Sequence, residues 1–249
     1  MWTSAKVLER SARWTWVPYD AVRVETVELT VVVTPQGKGS VLRFQDGDVD
    51  EAVRLARQSG ARTLTFSVHE HTRPASLASQ LRERGATVDN ELDVSALDLT
   101  GGVPDLAVPQ GIEVRRVDDP LLLADVYKVD GAAFGSPYPT KDFQRADAER
   151  LRTDPSVMRY LAYAGGQAVG SAGLTQEGPV GLLWGGGVLE AFRGKGIYRA
   201  LLDARLTEAV AQNSELALVK ARVGTSAPIL RRAGFTAHGK EWHLTLALA

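Results

Sequence analysis

The chain of 249 residues contains no cysteine, and this absence excludes two kinds of chemistry. No disulfide can stabilise the fold, so buried apolar residues must do so, and the length suffices for one large or two modest domains. No thiolate can act as a nucleophile or hold a covalent intermediate. Histidines are scarce as well, with four in the chain. His69 and His71 alternate at a strand-like end, but two ligands without a third predict no metal site.

An excess of charge of one sign is also missing. Lysine and arginine together number 29 against 30 acidic residues, and the formal net charge is −1. Nucleic-acid binding is not expected, because no basic stripe is present to neutralise phosphates. The sequence has no apolar run long enough for a transmembrane helix, and residues 1–10 lack the apolar core of a signal peptide. We therefore expect a cytoplasmic protein that does not interact with membranes.

The most informative segment that is present runs from a glycine-broken strand through a glycine-rich turn into a helix. The strand ends in Gly185-Gly186-Gly187-Val188, and the turn is Arg193-Gly194-Lys195-Gly196. Glycines in such a turn let several backbone N–H groups point into one concavity, and the helix adds its unpaired first donors. The turn therefore predicts a pyrophosphate site, to which Arg193 and Lys195 add positive charge. The strand glycines indicate a bulge or a close approach of another backbone.

Two common phosphate-binding motifs do not fit this turn. A P-loop needs Ser or Thr after the lysine, whereas Gly196 follows Lys195. A dinucleotide-binding turn needs a third glycine where this chain has Arg199. The segment instead resembles the GNAT superfamily of acyl-CoA-dependent N-acetyltransferases. Its signature is a valine-bearing strand, an Arg-Gly-x-Gly turn and a helix with a leucine pair, here Leu201 and Leu202.

A second motif supports the same resemblance. Strand-like residues 216–219 lead to Thr225-Ser226-Ala227-Pro228 and on to Gly234-Phe235, similar to the family's short helix that ends in Gly-Phe. The resemblance covers about residues 112–249 and implies an acetyl-CoA (coenzyme A) site. It also implies that the Val188 N–H is the oxyanion donor and that pantetheine pairs with the strand. The residues implied to bind the cofactor are Val188, Leu189, Arg193, Gly194, Lys195, Gly196, Ile197, Tyr198 and Ser226.

The family's catalytic side chains have no clear counterpart in this chain. Leu230 stands where many relatives carry a tyrosine acid, and residues 182–184 offer no carboxylate where some relatives carry a base. Ser226 and Tyr198 are the remaining candidates for an acid, and the catalytic residues stay unassigned. The other interpretation of Ser226 and Thr225 is that they cap the short helix.

The organisation of the chain follows from glycine, proline and hydrophobic periodicity. Residues 101–111 are rich in glycine and proline and predict a linker between domains at 1–100 and 112–249. Beyond the linker, the pattern predicts a strand at 112–117, helices at 121–133 and 141–152, and a hairpin that turns at Gly165-Gly166. This order is typical of a mixed α/β fold, here a GNAT-like mixed sheet flanked by helices.

Residues 1–100 are similar to an incomplete, degenerate copy of the same fold. Leu81-Arg82-Glu83-Arg84-Gly85-Ala86 parallels residues 230–235, although a chance match of a short helix and hairpin is the alternative. The turn Gln36-Gly37-Lys38-Gly39 resembles a phosphate-binding turn, but strand-like residues on both sides favour a β-hairpin. Asp48 is expected to cap the helix that follows. We therefore expect this half to be structural.

Together these observations predict an acetyl-CoA-dependent N-acetyltransferase. Because there is no cysteine, we expect an amine of a small molecule or peptide to attack the thioester directly. The alternative to direct attack is a serine ester, but no serine has an evident activating base. The alternative is a non-catalytic acyl-CoA-binding sensor or interaction module, which Leu230 and the carboxylate-free strand favour. The resemblance places the acceptor near residues 134–139 and 241–243. The sequence identifies neither the acceptor nor the oligomeric state.

Overall fold

The computed structural model describes residues 2–45 and 47–248, which form two compact units. The N-terminal unit contains Thr3–Val94, Ala221–Ile229 and the segment that starts at Ala237. The C-terminal unit contains Trp2, Ser95–Lys220 and Leu230–Thr236. The sequence-based division at 1–100, 101–111 and 112–249 stays a prediction. The compact units differ from it because each includes a segment from the other half of the chain.

The first half of the chain supplies most of the N-terminal unit. Its helices are α1 (Ser4–Arg13), α2 (Val49–Gln58) and α3 (Leu77–Glu83), and its strands are β1 (Val22–Glu25), β2 (Leu29–Val33), β3 (Lys38–Phe44), β4 (Thr63–His69) and β5 (Thr87–Asp98). Strands β1, β2 and β3 are antiparallel neighbours, and β3 and β4 run parallel. Gly37 lies in the turn between β2 and β3, so the predicted hairpin is confirmed.

Helix α2 begins where the sequence predicted a cap. The Asp48 carboxylate accepts a hydrogen bond from the Asp50 N–H at 2.9 Å and satisfies one of the unpaired donors of the first turn. The helix then buries Val49, Ala52 and Leu55 in the core of the N-terminal unit. The predicted N-cap is thus confirmed.

The second half of the chain supplies most of the C-terminal unit. Its strands are β6 (Ile112–Arg116), β7 (Val157–Ala164), β8 (Gln167–Glu177), β9 (Val180–Val188), β10 (Leu216–Arg222) and β11 (Thr236–Ala247), and its helices are α4 (Leu123–Phe134), α5 (Lys141–Thr153), α6 (Ile197–Ala211) and α7 (Ser226–Arg232). The strand order is β10-β9-β8-β7-β6, with β10 and β9 parallel and the other neighbours antiparallel. The predicted hairpin at Gly165-Gly166 and the mixed sheet are confirmed.

The last strand of the chain belongs to the N-terminal unit. Strand β11 pairs antiparallel with β4 from Glu241↔His69 to Ala247↔Thr63. Leu244, Leu246 and Leu248 are buried in the same core cluster as Leu64 and Phe66. Because side chains alternate along a strand, Trp242, Leu244 and Leu246 of β11 face this core together.

The final residues of β5 belong to the C-terminal unit. This unit includes the chain from Ser95 onward, and the Leu99 N–H donates to the Glu215 carbonyl oxygen at 2.9 Å. The two halves of the chain therefore exchange their final strand segments. None of the helices in the described ranges is both long and apolar enough to cross a membrane.

The two halves contain the same series of elements. Strand β3, α2, β4, α3 and β5 follow one another as β9, α6, β10, α7 and β11 do, and the first two strands of each series are parallel. Helices α3 and α7 also end alike. The Ala86 N–H donates to the Leu81 carbonyl at 2.9 Å, and the Phe235 N–H donates to the Leu230 carbonyl at 3.0 Å. In both cases a glycine with positive φ precedes the donor.

Candidate active site

A bulge interrupts the pairing of β8 and β9 in the C-terminal unit. Ser171 pairs with Gly187 and Gly173 pairs with Trp184, so one residue of β8 lies opposite two residues of β9 between these pairs. Gly185 has a φ of +58°, the left-handed conformation of the type of bulge that contains a glycine. The bulge that the three glycines predicted is thus confirmed.

At the end of β9, the backbone N–H and C=O of Val188 point away from β8. The Leu189 N–H donates to the Val169 carbonyl at 2.9 Å. Because antiparallel pairs alternate, the N–H and C=O of Val188 point to the opposite side. On that side, the parallel pairing with β10 ends at Leu183 and Val219 within the described residues. The strand therefore presents an open edge at Val188.

The turn after β9 leads into α6 through two residues with left-handed backbone. Gly194 has a φ of +75° and Gly196 a φ of +80°, conformations that residues with a Cβ rarely adopt. Gly196 is the residue before α6, and no side chain caps the first turn of this helix. The N-terminal N–H groups of α6 are therefore left for solvent or for an anion.

Two cations accompany these donors. Arg193 is exposed, and its Nε donates to the Val188 carbonyl at 3.3 Å, which links the turn to the end of β9. Lys195 is also exposed, with its Nζ 5.0 Å from the centre of the Phe192 ring. The turn thus combines backbone donors with positive charge.

The predicted linker packs against this turn. A side chain at Gly196 would lie 2.3 Å from Pro109 Cγ, and Arg199 Nη1 donates to the Leu106 carbonyl at 3.2 Å. Around Gly194, by contrast, a side chain would meet no atom within 4 Å. The linker therefore covers the Gly196 side of the turn, while the Gly194 side is open.

On the α6 side of β9, two side chains lie beneath the bulge. A side chain at Gly186 would lie 3.0 Å from the Tyr198 ring and 3.5 Å from Arg205 Nη2. Arg205 is 1% exposed, and burial lowers the pKa of its guanidinium, while the neighbouring Tyr198 and Tyr160 raise it. Its Nη1 donates to the carbonyls of Gly173 and Trp184, both at 3.4 Å. A buried cation thus stabilises the carbonyls next to the bulge.

On the opposite side of the sheet, α4 covers the paired residues Ser171 and Gly187. A side chain at Gly187 would lie 2.7 Å from Phe134 Cζ. The Ser171 hydroxyl donates to Asp130 Oδ1. Asp130 and Phe134 are four residues apart, so they share one face of the helix. A carboxylate and an aromatic ring therefore lie over the part of β9 that contains the open edge.

The sequence analysis did not single out Asp130, although its spacing carried a signal. It follows Leu123, Val126 and Tyr127 by seven, four and three residues, so it lies on the apolar stripe of α4. A carboxylate on an apolar stripe is unusual unless it has a buried partner. The partner, Ser171, is 41 residues away in the sequence and could not be identified from spacing alone.

A buried ion pair lies next to Asp130. Arg159 Nη1 is 3.0 Å from Asp147 Oδ2, and the Tyr127 hydroxyl donates to the same oxygen at 2.8 Å. Burial, followed by the charge of Asp147, raises the pKa of the Tyr127 hydroxyl. The Arg159 guanidinium also lies 5.3 Å from the centre of the Trp184 ring. Asp147 and Arg159 therefore compensate each other's charge in the interior of the unit.

The segment at 188–198 brings together all but one of the predicted cofactor-binding residues. Ser226 is the exception, because it begins α7 in the N-terminal unit. Thr225 precedes it in the position of the N-cap. Leu230, which replaces the tyrosine of relatives, is fully buried. Leu230 belongs to the C-terminal unit, unlike the start of the same helix.

The residues predicted near the acceptor at 241–243 lie in the N-terminal unit. His243 Nε2 is 3.1 Å from Glu241 Oε1, and Glu241 is buried. His69 ends β4, so His71 is not part of a strand, and the predicted alternation of the two imidazoles was wrong. His69 Nδ1 accepts a hydrogen bond from the His71 N–H at 3.2 Å. The described residues contain no group of three side chains that could hold a metal ion.

Comparison with protein families finds a similarity in the second half of the chain. Residues 123–235 match the model of the acetyltransferase (GNAT) family. The similarity to this family thus lies within the C-terminal half of the chain. The match spans α4 to the end of α7 and includes the bulged strand and the glycine turn. None of the curated proteins compared with this chain matches it.

Solved structures share the fold over most of the chain. A GCN5-related N-acetyltransferase from Kribbella flavida has a TM-score of 0.67 and 20% identity, over 96% of this chain and 94% of that chain. A GCN5-related N-acetyltransferase from Sphaerobacter thermophilus has a TM-score of 0.66 and 21% identity, over 89% and 81%. A tandem GNAT protein from the clavulanic acid biosynthesis pathway has a TM-score of 0.60 and 16% identity, over 98% and 88%. The GNAT-like fold expected from the sequence is confirmed.

Proposed function

We propose that this protein is an acetyl-CoA-dependent N-acetyltransferase that transfers an acetyl group to an amine of a small molecule or peptide. The observation that carries the proposal is the continuity of two features in the C-terminal unit. The open edge at Val188 leads directly into the turn of Gly194 and Gly196, and that turn leads into the uncapped start of α6. One extended ligand with a thioester at one end and a pyrophosphate further along fits this arrangement.

Each part of the segment has a role in binding acetyl-CoA. The N–H groups of the turn and of α6 receive the pyrophosphate, and the exposed Arg193 and Lys195 add attraction. The open edge of β9 pairs with the amide groups of pantetheine as an added strand would. Leu189 and Ile197 support the segment from the apolar side, since Ile197 is buried and Leu189 packs on the core cluster of α4.

The chemical step is direct attack of the amine on the thioester carbonyl. The Val188 N–H, which points away from β8, donates to the carbonyl oxygen as negative charge develops there. Positioning of the two substrates supplies the other main contribution. Breaking the C–S bond releases the thiolate of coenzyme A.

For the N-terminal unit we propose a structural role as a degenerate GNAT-like copy. The shared order of elements and the matching ends of α3 and α7 support a tandem origin. In this half the Gly37-Lys38-Gly39 turn joins two antiparallel strands, and it therefore does not start a helix. The next helix, α2, starts after β3 and is capped by the Asp48 carboxylate instead of by a glycine turn.

Calorimetric titration of the purified protein with acetyl-CoA, coenzyme A and ATP tests the binding site. We expect micromolar affinity for acetyl-CoA and coenzyme A at one site per chain, and much weaker binding of ATP. Absence of acetyl-CoA binding would contradict the proposed function.

An amine panel tests the transfer. The panel contains butylamine, spermidine, lysine, glucosamine, a lysine-containing peptide and hydroxylamine, and release of free thiol is followed with acetyl-CoA as donor. Transfer to at least one of these amines at a rate above that of the same mixture without protein supports an enzyme. Tight binding of acetyl-CoA without transfer to any of them would instead support the acyl-CoA-binding sensor.

A further inference from the structure

Asp130 is a carboxylate that the fold of the C-terminal unit brings over the end of β9, on the face of the sheet that α4 covers. Its Oδ1 accepts the hydrogen bond from Ser171, and Ser171 lies directly across the ladder from Gly187. Residues opposite each other in an antiparallel pair have Cα atoms roughly 5 Å apart. The carboxylate therefore lies over the end of β9 on the face of the sheet that α4 covers, and an amine that approaches the thioester from this face comes toward it.

The second oxygen of Asp130 is available for such an amine. Within the described residues, Oδ2 accepts no hydrogen bond, whereas Oδ1 is held by Ser171. The neighbouring charged groups do not compete for it. From α5 comes Asp147 and from β7 comes Arg159, and these two pair with each other at 3.0 Å. On α4 itself, the Tyr127 hydroxyl donates to Asp147.

From this placement we infer that Asp130 is the catalytic base of the transfer, and that it binds the acceptor as an alkylammonium ion. The inference rests on the proposed acetyltransferase function. Asp130 would thus supply the base, because β9 itself contains no carboxylate. The acceptor is an alkylammonium ion because a carboxylate next to the Phe134 ring favours a cation that is attached to an apolar group.

The proton balance of the step is as follows. Asp130 Oδ2 takes one proton from the ammonium group, which frees the lone pair of the nitrogen. The nitrogen then forms a bond to the thioester carbon, and the Val188 N–H donates to the resulting oxyanion. The oxyanion collapses, the C–S bond breaks and the thiolate leaves. The second proton of the nitrogen passes through water to the thiolate, and Asp130 returns its proton to solvent.

The environment of Asp130 changes its pKa in the direction that favours a base. Burial raises the pKa of the carboxyl group, and the hydrogen bond from Ser171, followed by the charge of Arg159, limits the rise. A base with a pKa closer to the working pH accepts a proton more readily. We therefore expect the transfer rate to increase with pH through the raised pKa of Asp130.

The test compares Asp130→Asn with the wild type on two acceptors from the amine panel. One is the best alkylamine of the panel, which is a cation at neutral pH, and the other is hydroxylamine, which is neutral and needs no deprotonation before attack. For Asp130→Asn we expect the alkylamine rate to fall on the order of 100-fold or more. The hydroxylamine rate and the affinity for acetyl-CoA should remain close to the wild-type values. The increase of the alkylamine rate with pH should disappear.

Asp125→Asn is the matched control. Asp125 lies on the same helix but pairs with Lys128 at its surface, with Oδ1 and Nζ 3.1 Å apart. This variant should keep both rates. An alkylamine rate of Asp130→Asn close to the wild type would overturn the role of Asp130 and leave the acetyltransferase proposal standing. Equal losses on both acceptors would also overturn it, because they would indicate a structural role. If the wild type transfers to no amine, the proposed function itself fails.

Discussion

Arg205 Nη1 lies 3.4 Å from the Trp184 carbonyl oxygen, so a buried guanidinium of α6 holds β9 at the residue where its bulge begins. Arg205→Met replaces the guanidinium with an uncharged side chain of similar length, so the carbonyls of Trp184 and Gly173 lose their hydrogen-bond donor. We expect the free energy of unfolding to fall by about 2–4 kcal/mol, measured by urea denaturation.

The control for this substitution is Arg145→Met on α5. The Arg145 side chain is 80% exposed, so its stability should change by no more than about 0.5 kcal/mol. If Arg205→Met is as stable as this control, then Arg205 does not support the bulge.

Lys195 and Lys38 form a natural pair for testing the cofactor site, because each stands between two glycines and each is exposed. Lys195→Glu places a negative charge at the turn before α6 and should weaken acetyl-CoA binding about tenfold or more, or ~1.4 kcal/mol. The loss should shrink as salt is added, since exposed charges are screened. Calorimetry at low and high salt measures both effects.

Lys38→Glu places the same charge in the turn that opens β3 and should leave the affinity for acetyl-CoA unchanged. A comparable loss in both variants would show that the N-terminal turn takes part in binding, or that the effect is one of net charge alone.

Gly194 is the more informative of the two turn glycines to substitute. A new side chain at Gly196 would displace Pro109, whereas none of the surrounding atoms lies within 4 Å of a side chain at Gly194. In Gly194→Asp, aspartate tolerates the left-handed backbone at a cost of roughly 1 kcal/mol and directs a carboxylate toward the pyrophosphate. We expect a folded protein that no longer binds acetyl-CoA in calorimetry.

Gly178→Asp is the matched control for Gly194→Asp. Gly178 also has positive φ and open space, but it lies in the turn that precedes β9, at the other end of that strand. The affinity of the Gly178→Asp variant for acetyl-CoA should equal that of the wild type. Retained binding in Gly194→Asp would remove the turn from the proposed site.

Because the pKa of Asp130 is raised in the folded protein, the free energy of unfolding should depend on pH. The folded protein binds this proton more tightly than the unfolded chain, whose carboxyl has its ordinary pKa of 3.8. Wild-type stability therefore declines as pH rises from that value through the raised pKa, by about 1.4 kcal/mol for each pH unit that separates the two pKa values. Asn at this position does not titrate and can still accept the hydrogen bond from Ser171.

Urea denaturation of Asp130→Asn and the wild type across this pH range measures the difference. The free energy of unfolding of the variant, relative to the wild type, should increase with pH and then level off. A difference that is independent of pH, or that decreases, would show that burial does not raise the pKa of Asp130.

Local features of this protein followed from the sequence with good accuracy. The hairpin at Gly165-Gly166, the bulge at the three glycines of β9, the cap at Asp48 and the course from strand through turn to α6 were all predicted. Each depends on a few neighbouring residues, because periodicity, capping and positive φ are set by local sterics and hydrogen bonds. Residues 193–198 therefore carry most of the candidate cofactor site within one short segment.

Long-range features were decided only by the tertiary structure. Arg205 lies on a helix where its charge suggests a surface position, yet packing buries it under β9. Asp130 acquires its hydrogen-bond partner, Ser171, from a different element, and burial between elements raises the pKa of its carboxyl group. Strand β11 follows the GNAT-like sequence of the second half but pairs with β4 of the first. Alternating apolar residues give β11 a face to bury, but they do not specify the core, because several sheet edges can accept the same pattern. The sequence by itself determined the local elements and the glycine turn, whereas only folding decided which distant side chains meet beside that turn.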